Sequence, residues 1–180
     1  MEGLPLHPAI VHIPLGLAVV MPLLAAAAAL SIWKGWVDKK VWIAVVVVQA
    51  LIFGGALVAK ETGEDQEEIV EKVVSEDAIH EHEEEAEGFI VVAGVTLAAS
   101  AAALFIPAET AVVALMGATV LLSVVVTGVG LSVGHSGGEL VYVHGAAKAY
   151  EGRVKPGRSM GPPGLERAYE KEENEEGEHE

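Results

Sequence analysis

The stretch Ala111-Val112-Val113-Ala114-Leu115-Met116-Gly117-Ala118-Thr119-Val120-Leu121-Leu122-Ser123-Val124-Val125-Val126-Thr127-Gly128-Val129-Gly130-Leu131-Ser132-Val133 runs for 23 residues without an acidic, basic or histidine side chain. About 20 apolar residues, at 1.5 Å of helical rise each, cross a hydrocarbon core roughly 30 Å thick. Three earlier stretches also lack Asp, Glu, Lys and Arg: 8–32, 41–59 and 88–106, of 25, 19 and 19 residues. Only His12, in the first of them, is ionisable. All four are continuous in Ala, Val and Leu, whereas barrel strands alternate apolar and polar residues over about 10 positions. The chain is 52% hydrophobic yet carries a formal net charge of −15, and the two properties occupy separate blocks. The reading is an all-α, polytopic membrane protein, with four transmembrane helices at about 8–32, 41–59, 88–106 and 111–133 in an up-down bundle.

The remainder is organised around those spans. Residues 1–147 are expected to form the transmembrane domain, and 148–180 a polar tail. The last third of that tail has too little apolar surface to offset ordering entropy. The first span is not a removable signal: it lacks a basic leader and is longer than a signal-peptide core. Pro8 suits a first helical position. Pro14 and Pro22 lie inside the span, and each frees the carbonyl four residues back, of Ile10 and of Ala18, which then needs another partner. Trp33, Trp36 and Trp42, with Lys34, Lys39 and Lys40, read as interfacial anchors around the first tight loop. Thr62-Gly63 is expected to close helix two. Between Glu64 and Glu87, Ile69, Val70, Val73 and Val74 recur at near-helical spacing. That segment is read as a helical, acidic, extramembrane element with its apolar stripe toward the bundle.

Directly after the fourth span comes Gly134-His135-Ser136-Gly137-Gly138-Glu139-Leu140-Val141-Tyr142-Val143-His144-Gly145. An even number of spans returns both termini to one side. His7, His12, His80, His82, His135 and His144 therefore fall at one membrane face, while the opposite face has two short loops and no histidine. Lys34, Lys39 and Lys40 follow the first span, so the positive-inside rule places the histidine face and both termini outside a cell (inner or cytoplasmic) membrane. The basic residues Lys148, Arg153, Lys155 and Arg158 argue the reverse.

Three chemistries fit a one-sided histidine cluster. Two neutral imidazoles on separate helices can ligate haem b. His12 and His135 are the expected axial ligands, with His7, His82 and His144 as alternates, and Gly130 and Gly134 leave room for a flat macrocycle. A non-haem Fe, Cu or Zn site could instead use His12, His135, His80, His82 and Glu139, with Glu61 and Glu84 nearby in type. Charge runs such as Glu81 to Glu87 are more often solvated faces than ligand sets, and small residues such as Gly130 more often serve helix packing. The third option is a cofactor-free scaffold or assembly subunit whose motif is a polar surface network.

The motifs Leu6-His7-Pro8-Ala9-Ile10-Val11-His12-Ile13-Pro14, Glu61-Thr62-Gly63, His82-Glu83 and Gly134 to Gly145 resemble a widespread family of small four-helix prokaryotic membrane proteins. That family is known chiefly as a domain of unknown function. The resemblance covers roughly residues 4–147 and implies the architecture. Some relatives are joined to, or lie near, c-type cytochrome domains, which implies redox work with a separate cytochrome or other redox partner. A homo-oligomer is a further option. The absence of cysteine excludes disulfides, thiolate metal sites and C-x-x-C-H haem attachment. Acidity argues against nucleic acid as a partner. No G-x-S-x-G, H-E-x-x-H or phosphate-binding loop is present, and no charged residue lies at mid-bilayer depth as transport would favour.

Overall fold

The computed structural model describes residues 5–151. The final third of the polar tail, expected to be disordered, lies outside the described residues. Helix α1 (His7–Ile10) and helix α2 (His12–Trp33) make the first span, followed by α3 (Trp42–Val70), α4 (Glu76–Phe105) and α5 (Glu109–Tyr142). Among the described residues, four helical spans are long and apolar enough to cross a membrane, and the all-α reading holds. α2 packs on α3 and α5, and α4 packs on the same two helices, so α3 and α5 stand diagonally across the bundle.

Local chemistry sets the ends. Gly35, at φ 70°, terminates α2: the Trp36 N–H donates to the Ser31 carbonyl and the Gly35 N–H to Ile32, both at 2.9 Å. This is a Schellman closure, which needs a residue tolerant of the left-handed region. Asp38 accepts from the Lys40 N–H at 2.7 Å and starts the 3-10 turn Lys39–Val41 that leads into α3. Pro107 holds Ile106 extended and ends α4. α1 and α2 separate at Val11, where Pro14 has no N–H to give the Ile10 carbonyl.

Two helices outlast their apolar runs. α3 was expected to close at Thr62-Gly63 and instead continues to Val70. The Thr62 hydroxyl bonds back to the carbonyls of Val58 and Ala59, inside the helix, rather than capping its end. α5 was expected to end near Val133 but carries the motif from Gly134 through Tyr142. Its glycines cost about 1 kcal/mol each in a helix interior, a penalty that packing outweighs here. Val74, Ile79 and Ala146 bury together, with Val70, Ala78 and Leu140 against them, tying the turn between α3 and α4 to the end of α5. The expected stripe is thus half right: Val70 and Val74 pack inward, while Val73 is exposed.

The core is a column of small and medium residues, including Ala18, Met21, Ala25, Ile52, Ala93, Ala103, Met116 and Val126. Leu23, Val91, Leu121 and Leu131 point outward. A belt of that kind suits hydrocarbon and would be unfavourable in water. Trp33 and Trp36 are exposed near the loop, as interfacial anchors should be, but Trp42 is fully buried. It starts α3, and its indole N–H reaches across to the Ser100 carbonyl at 2.9 Å. A hydrogen-bonded ring inside the bundle replaces the expected anchor. The Ala18 carbonyl, which Pro22 leaves without its helical donor, accepts from the Thr127 hydroxyl on α5 at 2.7 Å.

That last bond can be tested by a double-mutant cycle. Thr127→Val should cost about 1 kcal/mol of bundle stability. In a Pro22→Ala background, where the helix N–H again serves Ala18, the same substitution should cost markedly less. Reversible unfolding in mixed micelles reads both; equal losses in the two backgrounds would refute the compensation.

Candidate functional site

A helix turns 100° per residue, so residues two apart face nearly opposite ways. His80 and His82 illustrate this on α4. The His80 side chain is 72% exposed and lies 3.4 Å from Glu84 and 3.8 Å from Glu83. His82 points into the bundle, onto α5. Neighbours on α5 divide similarly: Ser136 faces inward, whereas the His135 side chain is 78% exposed and lies 3.5 Å from Glu139.

On α1, His7 turns toward α3, and its Nδ1–H donates to the Ala59 carbonyl at 2.8 Å. His7 and His82 meet edge to face, with ring centroids 6.4 Å apart and planes at 88°. Four helices build this end of the bundle: α1 and α4 supply the rings, α3 and α5 their backing.

The hydrogen bonds fix the tautomers. A carbonyl only accepts, so His7 carries a proton on Nδ1. The Ser136 hydroxyl donates to the Val133 carbonyl at 3.2 Å. Its oxygen therefore accepts from His82 Nδ1 at 2.9 Å. In the neutral form of either ring the lone pair is then on Nε2. A backbone or side-chain oxygen holding one ring nitrogen is the arrangement that orients an imidazole for ligation through the other.

Two glycines seat the rings. A Cβ at Gly63 would lie 3.3 Å from the His7 imidazole, and one at Gly137 would lie 3.2 Å from Cε1 of His82. Beside the pair, the Ser132 hydroxyl donates to Glu85 at 2.6 Å. Lys60 pairs with Glu87 and lies 3.6 Å from Glu64, joining α3 to α4 at the same level.

The expected partners His12 and His135 are not brought together. His12 is exposed, and its Nδ1 bonds to the Pro8 carbonyl on its own helix. His144 is exposed beyond α5, and Glu61 and Glu139 are also exposed. Gly130 offers no room for a macrocycle, because a Cβ there would meet Phe89 at 3.0 Å and Leu15 at 3.2 Å. Among the described residues, no three His, Cys, Asp or Glu side chains converge on a possible metal position. What the structure assembles is a pair of imidazoles.

Sequence reasoning missed Ser132, Ser136, Gly137, Glu85 and the Ala59 carbonyl as parts of this site. Ser132 and Ser136, spaced i, i+4 at the end of an apolar helix, were the available signal. The carbonyl left none.

The seating of the rings predicts a sharp contrast between adjacent glycines. Gly137→Ala should displace the His82 imidazole and shift its ring 15N and 13C resonances. Gly138→Ala, where a Cβ meets nothing within 4 Å, should leave them in place. Identical spectra for both variants would show that Gly137 does not seat the ring.

A family model described as "Predicted membrane protein (DUF2231)" matches residues 3–149. No curated protein matches the chain, and neither does any solved structure.

Proposed function

The chain belongs to the DUF2231 family of membrane proteins, and on that premise we propose that it is a membrane-embedded b-type haem protein passing electrons at one membrane face. In this reading His7 and His82 would hold the haem iron, in place of His12 and His135. The observation that carries it is the imidazole pair itself, 6.4 Å apart and perpendicular. Both rings lie on separate helices at the same end of the bundle, where they could hold a haem iron.

The ligand count separates haem from a bare ion. A protein zinc site takes three or four protein ligands, and other first-row ions in N/O sites are held by comparable sets. Haem iron takes only one or two from the protein, because the macrocycle fills its other positions. Two imidazoles without a converging carboxylate match the haem requirement better. Support comes from the pair and its backing alone, since Phe89 and Leu15 occupy the space against Gly130.

One-electron chemistry would be supplied by the iron. The chain's own residues do the positioning. Ala59 and Ser136 hold each Nδ1–H and thereby aim Nε2, and Gly63 and Gly137 let the rings sit against α3 and α5. Electrons would pass to or from a separate redox protein, because the chain has no cysteine for a covalent haem of its own. In this reading the histidine face would lie outside the membrane, because Lys34, Lys39 and Lys40 follow the first span on the opposite side.

Purified after expression with ample haem, the protein should show a Soret band and low-spin visible bands. His7→Ala and His82→Ala should each abolish or strongly alter them, while His12→Ala and His135→Ala leave them unchanged. Absence of any Soret band would overturn the proposal. A stoichiometric Fe, Cu or Zn ion without it would favour a bare-metal site, and neither signal would favour a scaffold.

A further inference from the structure

The bundle axis has its own polar layer, far from the histidines. Gln49 is the ninth residue of the 19-residue run 41–59, and Thr96 is the ninth of the 19-residue run 88–106. Ser123 is the thirteenth of the 23-residue run 111–133. All three therefore lie near the bilayer midplane, on α3, α4 and α5.

Each is essentially inaccessible: Gln49 and Thr96 at 0% exposure and Ser123 at 1%, with Thr119 equally buried. The Gln49 amide N–H donates to the Ser123 hydroxyl oxygen at 2.9 Å, bridging the diagonal between α3 and α5. Ser123 can only accept there, because its own proton goes to the Thr119 carbonyl at 2.7 Å.

The other end of the amide is the anomaly. Gln49 Oε1 is fully buried and takes no hydrogen bond from any described group of the protein. Leaving such an acceptor bare costs about 1–3 kcal/mol, and in hydrocarbon there is no bulk water to relieve it. Turning the amide over does not remove the problem. The oxygen would then face the Ser123 hydroxyl, whose proton already goes to the Thr119 carbonyl, and would still lack a donor.

Two further hydroxyl oxygens are buried in the bundle, on α4 and α5. The Thr96 and Thr119 hydroxyls each give their proton to their own helix, at Val92 (2.7 Å) and Leu115 (2.8 Å), and so retain oxygen lone pairs. A buried water forms about three hydrogen bonds to such groups. A guest of that size would supply the donor that Gln49 Oε1 lacks.

We infer that Gln49 holds an internal water molecule on the bundle axis at mid-membrane, donating to Oε1. It spans the layer in which α3, α4 and α5 meet, and it makes a fully buried glutamine tolerable there. The inference is independent of any haem at His7 and His82.

The sequence simplifies the test, because Gln49 and Gln66 are its only glutamines. In the full-length protein with 15N-glutamine labelling in micelles, the side-chain NH2 signals number two pairs, and Gln49→Leu assigns them. The buried pair should show a dipolar cross-peak to the water resonance. Ser123→Ala removes the adjacent hydroxyl through which exchange could mimic that peak, and the peak should persist. A Gln49 amide with cross-peaks only to protein protons, or a water peak lost in Ser123→Ala, would overturn the inference.

Discussion

Backbone carbonyls in hydrocarbon must each find a donor, and in this bundle several are served by a neighbouring helix. Pro22 deprives the Ala18 carbonyl of its helical N–H, and Thr127 of α5 supplies a hydroxyl in its place. Trp42 places its indole N–H on the Ser100 carbonyl of α4. His7 does the same to Ala59 of α3 at the histidine end. Lipid offers little hydrophobic force to press helices together, so these cross-helix bonds and the close packing of small residues set which faces meet. The histidine site uses cross-helix bonds of the same kind: one imidazole is oriented by a main-chain oxygen and the other by a serine bonded to its own helix.

The second determinant is that α3, α4 and α5 continue past the apolar runs at one end only. At the opposite end, Gly35 and Pro107 stop the chain within a few residues of the membrane. At the histidine end, α3 runs on to Val70, α4 begins at Glu76 and α5 continues to Tyr142. The small cluster of Val74, Ile79 and Ala146 holds these extensions together. His82 and Ser136 therefore stand on rigid helices instead of loops. Rigid elements hold ligand geometry more closely than loops do.

Much of this was legible in the residues. The four spans were visible because exclusion of Asp, Glu, Lys and Arg over 19 or more positions has few other causes. The gathering of six histidines at one face followed from counting spans. Which histidines meet did not. His80 against His82, and His135 against Ser136, are decided by helical phase, which depends on where α4 begins and on α5 continuing through Gly134, Gly137 and Gly138. Glycine and a Thr-Gly pair ordinarily mark helix ends, so both continuations ran against local signals. At Gly63 and Gly137 the absent side chain makes room for an imidazole from another helix, a tertiary reason that no local pattern carries. Trp42 misled in the same way, since its burial depends on a carbonyl 58 residues away.

The central claim is that His7 and His82 form one site across the end of the bundle. Its most direct measurement is the distance between the two rings in a lipid bilayer. Dipolar recoupling by solid-state NMR can supply it, with 13C in one histidine ring and 15N in the other, using His→Gln variants elsewhere to isolate the pair. A strong coupling is expected, consistent with centroids 6.4 Å apart. No measurable coupling between His7 and His82, or a clear one between His12 and His135, would contradict it.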